Sequence, residues 1–116
     1  MSLSQTIRMV RAQDLELRFT MDRPAAIAGW AVTFKACDAL GGTARITKTV
    51  AAGVTLTDTA RGVITVALAR ADTANLTVTT ALAAGKGYVW ELTRTDSGHQ
   101  TVLARGELIL EQEVVS

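Results

Sequence analysis

Leu15-Glu16-Leu17-Arg18-Phe19-Thr20-Met21-Asp22 alternates apolar and polar residues without a break. Extended chain sends successive side chains to opposite faces, so Leu15, Leu17, Phe19 and Met21 share one face. Glu16, Arg18, Thr20 and Asp22 share the other, and the stretch reads as a strand covering a core on one side only. Arg23-Pro24 ends it, because proline has no amide proton to give a ladder.

The same period of two recurs downstream. Trp30, Val32, Phe34 and Ala36 form an inward set, with Ala31, Thr33, Lys35 and Cys37 facing the other way. A helical period would group Trp30, Thr33 and Phe34, a poorer apolar stripe. Asp38-Ala39-Leu40-Gly41-Gly42 reads as a turn, since paired glycines permit positive φ. Arg45 to Val50 is a further strand with Ile46 and Val50 on one side. Lys48 shares that side, so this strand is expected at a sheet edge. After Ala51-Ala52-Gly53, Val54 and Leu56 alternate with Thr55 and Thr57. The next turn is Asp58 to Gly62, followed by Ile64, Val66 and Leu68 as an inward set.

Arg70 to Leu76 interrupts the pattern, and Ala71-Asp72-Thr73-Ala74 suits one short helical turn. Thr77 to Ala84 is ambiguous, with a Val-Thr-Thr centre that favours extended chain. Tyr88, Trp90 and Leu92 then alternate with Val89, Glu91 and Thr93. Asp96-Ser97-Gly98 makes a hairpin turn and Thr101 to Ala104 returns along it. Gly106 suggests a β-bulge. Glu107 to Val114 closes the chain, with Leu108 and Leu110 on one face. Upstream, Thr6 to Val10 is a first edge strand.

These add up to about seven or eight short strands with turn signals every ~8–12 residues, the spacing of sandwiches and barrels. No βαβ alternation points to a parallel sheet. The expected architecture is an all-β, antiparallel immunoglobulin-like β-sandwich filling residues 1–116 as one domain. Composition agrees: seventeen threonines and eleven valines favour pleated surfaces. The many alanines are the counter-signal, but they sit between β-branched residues or in glycine-bounded loops. Apolar residues are 48% and aromatics 4%, which predicts an aliphatic core with the two tryptophans as its largest units.

The net charge is +1, and the twelve basic and eleven acidic residues are scattered. The basic stripe of a nucleic-acid binder is missing. Arg8, Arg11, Arg18 and Arg23 lie early, and Glu107, Glu111 and Glu113 late, a split that would help the two ends to pair. Cys37 is the single cysteine, which allows no intramolecular disulfide. No apolar run has membrane-spanning length. Met1-Ser2-Leu3-Ser4-Gln5 lacks the form of a signal peptide, so the chain is expected to fold in a cytoplasm.

Candidate chemistry is sparse. His99 is the one histidine; Ser97, His99 and Asp96 lie too close in one turn to hold triad geometry. Nothing near Cys37 would lower a thiol pKa. Gly85-Lys86-Gly87 lacks the spacing of a phosphate loop, and no Asp-x-Asp-x-Asp run suggests calcium. Asn75-Leu76-Thr77 matches a glycosylation sequon by chance. No catalytic, cofactor or metal residue is therefore assigned, and the chain is not expected to be an enzyme. Trp30 and Trp90 head inward sets, so core packing is favoured over a sugar-stacking platform.

Gly87-Tyr88-Val89-Trp90-Glu91-Leu92, then Thr95-Asp96-Ser97-Gly98, then Thr101 to Leu108 together resemble the closing strands of the immunoglobulin-like domain of phage baseplate upper proteins. Asp14 to Thr20 looks like that family's opening strand and Trp30 to Ala36 like its second. Gly62 to Leu68 with Ala71-Asp72-Thr73-Ala74 looks like its central strand and turn. The resemblance covers nearly the whole chain. It implies a virion structural module of a tail, baseplate or fibre, made in the bacterial host cytoplasm. Such a module binds other virion proteins and assembles as a homo-oligomer, without nucleic acid, membrane or cofactor. The alternative is a carbohydrate-binding or adhesion module on the same sandwich. Glu107, Glu111 and Glu113, on the acidic C-terminal strand, are the candidate partner contacts.

Overall fold

A computed structural model describes residues 3–4, 6–21, 26–38, 42–76, 88–96 and 100–111. The chain is all-β apart from one helical turn. Its elements run β1 (Leu3–Ser4), β2 (Ile7–Val10), β3 (Leu15–Thr20), β4 (Val32–Cys37), β5 (Ala44–Val50), β6 (Gly53–Asp58), β7 (Val63–Leu68), α1 (Arg70–Thr73), β8 (Tyr88–Arg94) and β9 (Thr101–Glu111). The sheet order is β1-β9-β8-β4-β5-β6-β7-β3, with β2 following β1 along the same edge of β9. The sheet curls until it is nearly closed into a barrel.

The sheet is mixed, where a purely antiparallel one was expected. Hairpin and long-range pairings are antiparallel: β3 with β7, β4 with β5 and β8, β6 with β7, and β8 with β9. The N-terminal strands β1 and β2 instead run parallel to β9. Both enter from the chain start in the direction in which β9 ends, so nothing in the connectivity forces a reversal. A second parallel pairing is only two residues long, Thr49 with Gly53 and Val50 with Val54. Ala51 takes φ 70° and Gly53 φ 106° to make this corner. A Cβ on Gly53 would lie 2.5 Å from Cδ of Lys48, so glycine serves both the backbone and the close approach.

Alternation became burial as the period of two requires. Phe19, Val32, Phe34, Ala36, Ile46, Val54, Ile64, Val66, Leu68, Tyr88, Trp90, Leu92, Leu108 and Leu110 are all buried. Trp90 sits at the centre, its ring 5.3 Å from Phe19 and 5.8 Å from Phe34. It fits because its inward neighbours on both sides are small: Ala36 on β4 and Gly106 on β9. That pairing also corrects the expected bulge. The register shifts opposite Leu92 and Thr93, while Gly106 stays in regular register beside Trp90. The glycine leaves space for the indole rather than for an extra residue.

Among the described residues, β5 pairs with β4 from Ala44 to Thr49 but meets β6 only at Thr49 and Val50, so Lys48 lies along an edge as expected. Lys48 is tolerated on the inner side because its ammonium reaches Asp72 of α1 at 2.9 Å. Trp30 precedes β4 and is only half-buried, packed on the core's margin.

Helix α1 forms where it was expected, and its end groups are satisfied locally. The Asp72 carboxylate accepts the Ala69 amide at 2.7 Å, and Asp14 accepts the Arg70 amide at 2.9 Å. Both contacts answer amides that a helix start leaves without a partner. Buried Thr73 accepts the Ala12 amide at 2.8 Å, which ties α1 to the bend where Ala12 takes φ 62°.

Candidate functional site

Two of the three acidic candidates, Glu107 and Glu111, lie on β9. Glu107 is exposed and pairs with Val89, whereas Glu111 is half-buried and pairs with Val10. Glu113 lies outside the described residues. β9 has β8 along Thr101–Leu108 on one edge, and β1 at Ala104–Arg105 and β2 at Leu108–Glu111 on the other, so most of its backbone is paired and side chains are what it offers a partner. Arg8 pairs with Ile109, which places it between Glu107 and Glu111 along the ladder. Of the early basic residues, Arg8 and Arg11 lie beside the acidic strand, Arg18 is on β3 opposite Thr65, and Arg23 lies outside the described residues.

A larger polar surface lies on the outer face of β9, β8, β4 and β5. Register sets its rows. One row runs Arg105, Glu91, Lys35, Thr47, with charge alternating across three strands. The next runs Val102, Thr93, Thr33, Thr49. Together with Thr95 and Gln100, most of these residues line a shallow depression of about 410 Å³. Hydroxyls, one amide and alternating charges suit hydrogen bonding to a polar partner. The alternation of Thr33 and Lys35 outward was readable in the sequence; the row itself was not, because Glu91 and Arg105 join it only through strand pairing.

Where β8 ends, on the inward side of the sheet, stands a second cluster that the sequence did not flag. Arg94 donates to both carboxylate oxygens of Asp96, at 2.6 and 2.9 Å. Its guanidinium carbon lies 4.1 Å from the Trp30 ring centroid, a cation–π distance. In the sequence Asp96 stood out only as part of a turn and of a rejected triad, and nothing marked Arg94.

The guanidinium's hydrogen bonds hold the Asp96 carboxyl down at about 2, against an ordinary 3.8, although burial pushes the other way. A carboxyl more acidic in the folded chain stabilises it above the unfolded value, and that stabilisation fades as pH falls through the folded one. Asp96 therefore contributes fully above 3.8 and loses its contribution between 3.8 and about 2. Asp96→Asn should lower the urea midpoint at neutral pH and flatten its decline across that window. Equal acid sensitivity in both proteins would remove Asp96 from the acid response.

No family model matches the chain, and no curated protein matches it. Among the described residues, no group of three or more His, Cys, Asp and Glu side chains is placed to hold a metal ion. No described helix is long and apolar enough to cross a membrane. Cys37 is a half-buried free thiol at the end of β4. Ser97, His99 and the Gly85-Lys86-Gly87 segment lie outside the described residues.

Proposed function

We propose that the chain is a phage virion structural module, an immunoglobulin-like sandwich that binds other tail, baseplate or fibre proteins through its sheet surfaces. The sandwich reading draws support from the strand pairing. Among the described residues, β6 joins β5 through two residue pairs, Thr49 with Gly53 and Val50 with Val54, which leaves β6, β7 and β3 as one group of strands and β5, β4, β8 and β9 as another. Phe19 on β3 meets Trp90 on β8 between the groups. In antibody domains the second and sixth strands of the sandwich carry the inter-sheet disulfide, and a tyrosine stands two residues before its second cysteine. Phe19 on β3 and Trp90 on β8 form an aromatic pair, and Tyr88 opens β8 two residues before Trp90, features that favour the immunoglobulin-like reading.

The observation that carries the functional reading is the character of the surface. All five aromatic residues are withdrawn: Phe19, Phe34, Tyr88 and Trp90 are buried, and half-buried Trp30 lies under Arg94. Among the described residues, the outer face of β9, β8, β4 and β5 is mostly threonine with charges of both signs, a surface suited to protein–protein hydrogen bonding. The carbohydrate-binding alternative requires an exposed aromatic platform and draws no support from these positions.

The test is co-purification. Tailed particles collected from induced cultures of the encoding bacterium should contain the chain, and an antibody against it should label the tail. Particles that lack it, or a chain found only in the free cell extract, would overturn the virion reading.

A further inference from the structure

We propose that the open edge of β3 is a twofold interface with a second copy of this chain. The proposal goes beyond the virion reading and does not depend on it. Among the described residues β3 has a single strand neighbour, β7. The Met21 amide donates to the Gly62 carbonyl at 3.0 Å, in continuation of the β3–β7 register. In an antiparallel pair the backbone groups of alternate residues point to the same side. Leu15, Leu17 and Phe19 therefore aim their N–H and C=O groups at β7, and Glu16, Arg18 and Thr20 aim theirs at the open edge. An edge of this kind is a template for another strand.

The side chains select the occupant. An antiparallel copy must keep inward residues beside inward residues, so the pairing can slide only in even steps. Centred on Leu17, the twofold pairing sets Glu16 opposite Arg18 of the second copy, and Arg18 opposite its Glu16. These are the positions whose backbone groups point outward, so each pair would exchange two main-chain hydrogen bonds as well as opposite charges. Leu17 meets Leu17, and Leu15 meets Phe19. Moving the centre to Arg18 or to Glu16 brings identical charges face to face, which is unfavourable in a directly opposed pair. Within its own sheet the strand has no use for these charges, since Glu16 pairs with Ala67 and Arg18 with Thr65. Glu16 and Arg18 are exposed, and Leu15 and Leu17 are only half-buried although they face the core side. A second β3 would cover those leucines and continue the sheet across a twofold axis into the second copy's β3 and β7, with self-complementary contacts.

Light scattering after size exclusion, over a concentration series, tests this with charge-reversed variants. Wild type should be a dimer. Glu16→Arg and Arg18→Glu, each tested alone, should weaken dimerisation about tenfold or more, since attraction becomes repulsion at both pairs. The double variant E16R/R18E should regain the dimer, which also shows that the substitutions leave folding intact. Mixing the two single variants should give a heterodimer, because every opposed pair is then attractive. A wild-type monomer at all concentrations, or a dimer indifferent to both single reversals, would overturn the proposal. Neither result bears on co-purification with tailed particles.

Discussion

Replacing Trp90 by alanine should cost about 3–5 kcal/mol of stability, the usual range for losing a large aromatic from a packed core. Total stability of a domain is only about 5–15 kcal/mol, so the variant should melt far below wild type or fail to fold. Trp90 is fully buried and its ring meets Phe19 of β3 and Phe34 of β4. Both phenylalanines are already buried in their own strands, so neither can refill the space without leaving another. Ala36 and Gly106, which flank it, are too small to relax into the cavity. Trp90→Phe keeps part of the ring contact and should lose less. Chemical denaturation of the three proteins checks the order; a loss below 1 kcal/mol for the alanine variant would mean that the centre of the core lies elsewhere.

Ala36→Leu should be destabilising by about 1–3 kcal/mol for the opposite reason, overpacking. Ala36 is 1% exposed and lies in register between Ile46 on β5 and Trp90 on β8. Added methyl groups at that point have nowhere to go except into the indole. Its cost should therefore depend on Trp90. In a double-mutant cycle, Ala36→Leu combined with Trp90→Phe should cost less than the two separately, because the smaller ring vacates volume beside position 36. Strict additivity would show that the two side chains do not compete for the same space.

Both predictions turn on small residues that alternation alone treats as unremarkable. Ala36 was readable as an inward position, but not as the space that admits Trp90, because its partner lies more than fifty residues away in the chain. Gly106 read as a bulge for the same reason: a glycine in a strand signals either an extra residue or a crowded neighbour, and only the register with Trp90 decides which. Lys48 signalled an edge strand, but its partner, Asp72, was not legible because it belongs to a helical turn on a different part of the chain. The candidate surfaces were less legible. Thr33 and Lys35 were visibly outward, but the Arg105-Glu91-Lys35 row arises from two strand pairings. The contact between Arg94 and Trp30 spans sixty-odd residues of sequence.

Local periodicity by itself determined the all-β class, nearly every strand, the helical turn at Ala71–Ala74 and which residues of each strand face inward. A strand's two faces are written in its own alternation, with no need of a partner. Strand order, the parallel docking of β1 and β2 on β9, the corner at Gly53 and the open edge of β3 were decided only by the tertiary structure. Those depend on which backbone meets which, and hydrogen bonds between distant strands leave no periodic trace in the residues that make them.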